Sequence, residues 1–157
     1  KTTLNILVNM VNIENVKQGN FLLLDYGHGI KETCKVIEVD RTNNKLQVLV
    51  LSKNINNSEV EVVVNNLEGI RFKEEFLIKM GFYNDTSYQV YDLPVRGAYV
   101  KFYQGGHDLL VRKEDGNWCL VLENAHYGYE LKPILYLHLF QNYVKMWWGL
   151  NTDTLFN

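Results

Sequence analysis

Cysteine is scarce in this sequence, so a fold built on several disulfides is excluded. Only Cys34 and Cys119 occur among its 157 residues. Each lies in an apolar run that is typical of a strand, and two buried free thiols are therefore favoured over a bridge between them. A chain of this length buries roughly two thirds of its unfolded surface, so its core needs neither a disulfide nor a metal ion to form.

Long apolar runs are missing as well. No run approaches the roughly 18 residues that a membrane-spanning helix needs. Residues 4–11 are mostly apolar but contain two asparagines, and this run is too short for the apolar part of a signal peptide. The sequence therefore predicts a cytoplasmic protein that has no membrane partner.

An excess of charge of one sign is also absent. Sixteen Lys and Arg residues stand against 18 Asp and Glu residues, which gives a net charge of -2, and the two signs are evenly spread. Nucleic-acid-binding proteins draw much of their affinity from clustered Lys and Arg. The balance disfavours a general polyanion-binding surface and a DNA mimic, while a local basic patch stays open.

Motifs that hold metals, phosphates or a catalytic nucleophile are not recognisable. His28 and His107 lie at predicted loop tips without a Cys or carboxylate at the spacing of zinc ligands. The 27–29 segment, Gly-His-Gly, lacks the further glycine and the helix start of a phosphate-binding loop. The sequence therefore predicts no metal site and no cofactor. A small hydrolase that uses His28, His107 or His126 stays an alternative, because active sites assemble from residues that are distant in sequence.

What the sequence does contain is a series of short β-rich runs separated by turn residues. Thr33–Asp40 and Leu46–Leu51 flank Asn43 and Asn44, a pattern that predicts a β-hairpin. Closely spaced short strands within residues 1–70 favour an SH3-like small β-barrel. An antiparallel meander is predicted for Ala98–Tyr103, Leu109–Lys113 and Trp118–Glu123.

A short central helix is predicted between these two groups of strands. Phe72, Phe76 and Met80 recur at the spacing of one helical face, and Gly81 stands where a helix ends. A helix this short depends on the packing of its aromatic face for stability.

A second helix is predicted at the C-terminal end, from Pro133 to about Trp148. Proline is tolerated in the first helical turn and Gly149 permits the chain to leave the helix. The expected class is therefore α+β and β-rich. Residues 1–70 form the barrel-like region, and residues 71–157 contain the short helix, the meander and the C-terminal helix, packed with the first region as one unit.

Four polar residues of the C-terminal helix share one face, because they are spaced i, i+3, i+4 and i+7. They are His138, Gln141, Asn142 and Lys145. Such a stripe of donors and acceptors is a candidate partner-binding surface; the alternative is a solvated face whose side chains cap nearby loops. Trp147 and Trp148 cannot both face one core, so at least one is a candidate for a partner or homodimer contact. The proposed partner-binding residues are His138, Gln141, Asn142, Lys145 and Trp148.

A second candidate surface lies on the first strand of the meander. Tyr99 and Tyr103 fall on one strand face with Lys101 between them. Exposed tyrosines could stack on bases while lysine contacts a phosphate. The alternative is cross-strand packing, since strands favour aromatic residues.

Three stretches of the chain stand out by their order and spacing: Lys17–Phe21, which leads to the strand Val36–Val39, then Glu74–Phe82, and Tyr136–Asn142. Together they resemble a family of small uncharacterised proteins encoded by phages and integrated mobile elements of gut anaerobes. The chain departs from the family at Arg71 and Lys73, where the family has Pro and Thr, and at Trp147 and Trp148, which precede the shared Gly149. The resemblance implies an origin rather than a mechanism.

The leading hypothesis from the sequence is a non-enzymatic protein-interaction module of a phage or mobile element, acting in a bacterial host cell on a protein partner. The alternatives are a nucleic-acid-binding accessory protein and the small hydrolase.

Overall fold

The computed structural model describes residues 9–51, 58–104, 106–126 and 128–156. It consists mainly of antiparallel strands with two α-helices in the described residues, so the predicted α+β class is confirmed. The chain divides into two compact units. Unit 1 comprises the described residues of 1–71 and 136–156, and unit 2 those of 72–135. The C-terminal helix, predicted within 71–157, thus belongs to the same unit as the N-terminal strands.

Unit 1 contains a five-stranded antiparallel sheet whose strand order is 4-3-2-1-5, with strands 4 and 5 at its edges. Its second strand changes register between Val36 and Glu38, an irregularity that bends a strand. The hairpin predicted around Asn43 and Asn44 is confirmed, and Asn44 has a positive φ of 53°. The strands are β1 (Phe21–Asp25), β2 (Lys31–Asp40), β3 (Lys45–Val50), β4 (Ser58–Val63) and β5 (Leu67–Glu68).

The core of unit 1 lies on one face of this sheet. Leu46, Val48 and Val50 are buried while the residues between them are not, as expected from the alternation of side chains along a strand. Cys34 belongs to the same core, and both cysteines of the chain are buried and free, as predicted.

Unit 2 contains a second antiparallel sheet of five strands and a separate two-stranded hairpin. The predicted meander is confirmed, and it continues into one further strand. Asp115 and Gly116 both have positive φ, the geometry of the tight turn that joins its central strands. The sheet contains β6 (Tyr83–Asp85), β9 (Ala98–Lys101), β10 (Leu109–Glu114), β11 (Asn117–Asn124) and β12 (Gly128–Pro133), and the hairpin contains β7 (Gln89–Val90) and β8 (Leu93–Pro94).

The central helix is confirmed as α1 (Glu74–Lys79), which lies in unit 2. Phe76 and Leu77 are buried, and Gly81 has the positive φ expected after a helix end. The Phe72 ring contacts the rings of Phe76 and Trp118, with centroids 5.9 and 6.1 Å apart. Aromatic packing of this kind stabilises a helix that is too short to form alone.

The C-terminal helix is α2 (Leu137–Trp148), and its predicted start at Pro133 is wrong. Pro133 is the last residue of β12, which is an edge strand of the second sheet. An edge strand tolerates a residue that has no N–H to donate. The end of the helix is as predicted, because Gly149 caps it with φ 63° and donates to the Lys145 carbonyl.

Candidate functional site

Gln141, which was predicted to contact a partner, instead bonds within unit 1. Its side chain is buried, Oε1 accepts the backbone N–H of Phe21 at 2.8 Å, and Nε2 donates to the Gly19 carbonyl at 3.1 Å and to Thr152 Oγ1 at 2.8 Å. All of the hydrogen-bonding groups of this amide have partners. Gln141 therefore connects α2 to the start of β1 and to the segment after the helix.

Asn142 continues this amide network. Its Oδ1 accepts from Asn20 Nδ2 at 2.7 Å, and its Nδ2 donates to the Asn15 carbonyl at 2.7 Å. Asn20 is itself buried, and its Oδ1 accepts the Lys17 N–H at 2.8 Å. This part of the stripe thus stabilises the turn before β1, which agrees with the alternative that the side chains cap a nearby loop.

His138 is buried at the start of α2 and its Nδ1 has no hydrogen-bond partner. Its ring stacks on that of Tyr136, with centroids 5.9 Å apart. Burial lowers the pKa of His138 from 6.5 to about 4, because the charged imidazolium would lose its hydration. The ring is neutral near pH 7 and faces the interior rather than a partner.

The buried histidine predicts that the protein loses stability as the pH falls. Between about pH 6.5 and about pH 4 the unfolded chain binds a proton that the folded chain does not, so unfolding becomes easier in this window. From neutral pH to about pH 5, we expect a loss of about 2 kcal/mol in the free energy of unfolding. Urea unfolding at both pH values measures it. The free energy of unfolding of a His138→Leu variant should fall less between the two pH values. An equal fall in both proteins would contradict the assignment of this pH dependence to His138.

The other two predicted partner-binding residues are more accessible to solvent. Lys145 is exposed, and Trp148 is half-buried with its ring 6.0 Å from that of Tyr143. A different face of α2 is exposed and apolar, since Met146 and Trp147 both point to solvent. A homodimer contact at Trp147 or Trp148 stays a prediction.

A cleft of about 550 Å³ lies beside the amide network in unit 1. Its floor includes Asn20, Gln141 and Thr152, whose side chains take part in hydrogen bonds to one another or to backbone. At its rim, Asp153 pairs with Lys35 at 3.3 Å. The polar groups of this floor therefore have structural roles.

The side chains of the predicted stacking residues are engaged in contacts within unit 2. Tyr99 packs edge-on against Trp118 with ring centroids 5.6 Å apart, and Lys101 Nζ donates to the Met80 carbonyl at 2.8 Å. The Tyr103 hydroxyl is buried without a hydrogen-bond partner. All three side chains are partly buried, so they do not form the open surface that base stacking requires.

The open aromatic surface of unit 2 is on the opposite face of β9. Tyr83 pairs with Val100, and Phe102 follows two residues later, so both side chains lie on the face that carries Val100. Tyr83 and Phe102 are 49% and 52% exposed, and their ring centroids lie 5.4 Å apart. The Tyr88 ring lies 6.4 Å from that of Phe102. We call Tyr83, Tyr88 and Phe102 the aromatic surface.

Three carboxylates, Asp85, Asp108 and Glu123, lie near this surface; we call them the acidic rim. The Tyr88 hydroxyl donates to Asp108 Oδ2 at 2.7 Å. Burial raises the pKa of Tyr88, with further contributions from the bond to Asp108 and from the charges of all three carboxylates. Burial also raises the pKa of Tyr83, with smaller contributions from Asp85 and Asp108. Carboxylates therefore lie close to the phenols of the aromatic surface.

The sequence did not single out Tyr83 and Phe102. Alternation along β9 assigns residues 99, 101 and 103 to one face and residues 100 and 102 to the other, but it does not tell which face is covered. The available signal was Val100, an apolar residue between Tyr99 and Lys101 that indicates the core-facing side of β9, the side on which Phe102 also falls.

Of the histidines of the hydrolase alternative, His28 belongs to unit 1, whereas His107 and the exposed His126 belong to unit 2. His28 is exposed at a loop with φ 54°, and His107 Nδ1 lies 3.1 Å from Glu123 Oε2. Burial raises the pKa of the Cys34 thiol to about 12, which opposes thiolate formation. No group of three or more metal-ligating side chains occurs in the described part of the chain.

Comparison with known proteins adds no family assignment. A scan with protein-family models and a search of curated proteins found no match to this chain. Within the residues that the structure describes, no helix combines the length and apolar character needed to span a membrane.

Proposed function

We propose that this chain is a non-enzymatic protein-interaction module whose contact site is the aromatic surface of unit 2. The observation that carries the proposal is the adjacent pair Tyr83 and Phe102, each about half exposed, with ring centroids 5.4 Å apart. Aromatic side chains dominate the energetics of protein interfaces because they bury a large area at little conformational cost. Two neighbouring rings of this kind suit the centre of such a contact.

The charge around the rings favours a protein over a nucleic acid. A single strand could stack its bases on tyrosine and phenylalanine, but its phosphates would approach Asp85, Asp108 and Glu123. The lysine of the predicted stacking surface, Lys101, bonds to the Met80 carbonyl. A nucleic acid bound here would therefore bring its phosphates toward carboxylates, while the lysine predicted to contact them is bonded to a backbone carbonyl.

We also propose an SH3-like architecture for unit 1 and an origin in a phage or mobile element. The meander order of the sheet, the pairing of β5 with β1, and the bend in β2 all support a small barrel-like arrangement. The origin is supported by the resemblance of the three stretches described above. It predicts that the partner is a protein of the bacterial host.

Replacement of Tyr83 and Phe102 by alanine should abolish partner capture. Wild type and the double variant would each carry a photo-crosslinking amino acid at Gln104, which is exposed and lies two residues after Phe102. After irradiation in nuclease-treated bacterial lysate, the wild type should form a crosslinked product that mass spectrometry identifies and the double variant should not. Purified partner should then bind wild type directly.

A matched variant separates loss of the site from general loss of exposed aromatic area. Tyr26 is 52% exposed and lies in unit 1, so Tyr26→Ala removes a similar surface elsewhere. This variant should crosslink like wild type. A product that survives Tyr83→Ala with Phe102→Ala, or that disappears equally in Tyr26→Ala, would contradict the proposed function.

A further inference from the structure

The aromatic surface combines two features that a basic side chain requires. The rings of Tyr83 and Phe102 are open to solvent, Asp85 lies two residues after Tyr83 on the same strand, and Asp108 accepts the Tyr88 hydroxyl at 2.7 Å. Aromatic faces attract cations, and nearby carboxylates supply the counter-charge. A neutral apolar partner would gain from the rings but would leave the carboxylates to be desolvated.

Guanidinium fits such a site better than ammonium does. It is planar, it stacks on aromatic rings, and its N–H groups match the two oxygens of a carboxylate. Ammonium is more strongly hydrated and bonds as a point charge. The geometry of this surface, which has rings beside carboxylates, therefore favours arginine.

Unit 2 already holds one arginine in this manner. The Arg112 guanidinium lies over the Tyr129 ring at 5.8 Å from its centroid, donates to the Tyr129 hydroxyl at 3.1 Å, and pairs with Glu114. The same three elements, an aromatic ring, a phenol and a carboxylate, recur at the aromatic surface without an arginine of unit 2 among its described contacts.

We propose that the aromatic surface and its acidic rim bind an arginine-containing basic segment of the partner protein. The inference rests on the proposed function and specifies the chemistry of the partner. Charge complementarity identifies this occupant, because three carboxylates lie near the rings and His107, which pairs with Glu123 at 3.1 Å, offsets at most one of them. The partner's arginine stacks on Tyr83 or Phe102 and pairs with Asp85 or Glu123.

The test uses fluorescent peptides of equal length in which glycine alternates with arginine, lysine, citrulline or glutamate, together with a fluorescent oligothymidylate. Anisotropy titration of the full chain should show binding of the arginine peptide, weaker binding of the lysine peptide, and no binding of the other two. The Tyr83→Ala, Phe102→Ala variant should bind the arginine peptide about tenfold more weakly, the loss expected for a partly desolvated cation–π contact. Added salt should weaken binding further.

Charge variants test the acidic rim separately. Asp85→Asn with Glu123→Gln removes two charges and leaves the bond between Tyr88 and Asp108 in place. This double variant should bind the arginine peptide about tenfold more weakly, the effect of losing two partly exposed charge pairs. Glu59→Gln with Glu130→Gln makes the same change in charge at exposed positions of other strands and should leave affinity within about twofold of wild type.

Several results would overturn the inference. Equal weakening by both pairs of charge variants would show nonspecific attraction to an acidic protein. Equal affinity for arginine and citrulline peptides would exclude guanidinium recognition, and oligothymidylate binding that Tyr83→Ala and Phe102→Ala abolish would assign the rings to base stacking. If no peptide binds but the crosslinked product still depends on Tyr83 and Phe102, the proposed function stands and the arginine segment is wrong.

Discussion

Replacing Gln141 by alanine should destabilise unit 1 by about 3 kcal/mol, although the helical spacing predicts a partner contact for its side chain. The substitution removes the acceptor for the Phe21 N–H and the donor for the Gly19 carbonyl, and both groups lie at the start of β1. A buried group that loses its hydrogen bond costs about 1–3 kcal/mol. Because the free energy of unfolding of a native protein is about 5–15 kcal/mol, the expected loss is a large fraction of the total stability.

Urea unfolding and amide hydrogen exchange measure the effect at two levels. The variant should unfold at lower urea concentration, and the Phe21 amide should lose protection, since it has no other acceptor among its described bonds. Lys145→Ala is the matched control, because Lys145 lies one turn further along α2 and is exposed. It should change stability by less than about 0.5 kcal/mol. Equal effects of the two substitutions would mean that the amide network contributes nothing.

This contrast shows what the helical spacing could and could not reveal. Residues at i, i+3, i+4 and i+7 do share a face, so the sequence correctly grouped His138, Gln141, Asn142 and Lys145. Whether that face meets solvent depends on its neighbours in space. Gln141 bonds to Phe21, which lies 120 residues earlier in the chain, and no local pattern encodes that distance.

The fold was more predictable than the site because strands, turns and helix ends are local signals. Asn44 in the hairpin turn tolerates a positive φ because its short side chain is polar, and Gly81 and Gly149 adopt a positive φ after their helices because glycine has no Cβ atom. Pro133 misled because one property, the missing N–H, suits both a first helical turn and an edge strand. Only the pairing of Pro133 with Cys119 distinguishes these two settings.

The dependence on neighbours in space also explains why the sequence predicted the wrong face of β9 for the interaction surface. The sequence favoured Tyr99, Lys101 and Tyr103, whereas the exposed ring belongs to Phe102. Period-two alternation makes each strand residue a choice between two faces, and a choice of the wrong face inverts every assignment on the strand. Lys101 is covered because its Nζ donates to the carbonyl of Met80, the residue that ends α1. The sequence of β9 alone does not indicate where α1 lies, so this contact could not be predicted from it.

The second large effect is expected at Gly69, where alanine should destabilise unit 1 by about 3 kcal/mol through overpacking. A Cβ atom at this position would lie 2.5 Å from Tyr136 Cδ1 and 2.8 Å from Cγ, well inside van der Waals contact. The ring cannot easily move away. Its hydroxyl bonds to Asn9 at 3.2 Å, and its faces meet the His138 ring and the Arg71 guanidinium.

A double-mutant cycle separates this clash from the general effect of adding a methyl group. Gly69→Ala in a Tyr136→Ala background should cost less than about 1 kcal/mol, because the atoms that the methyl group meets are gone. Gly106→Ala is the matched control, since no atom lies within 4 Å of its added Cβ and its φ is not positive. If Gly69→Ala costs the same with and without the Tyr136 ring, the ring is not what excludes a side chain at this position. A strong coupling would instead explain why glycine follows β5, since the Tyr136 ring occupies the space that a side chain would need.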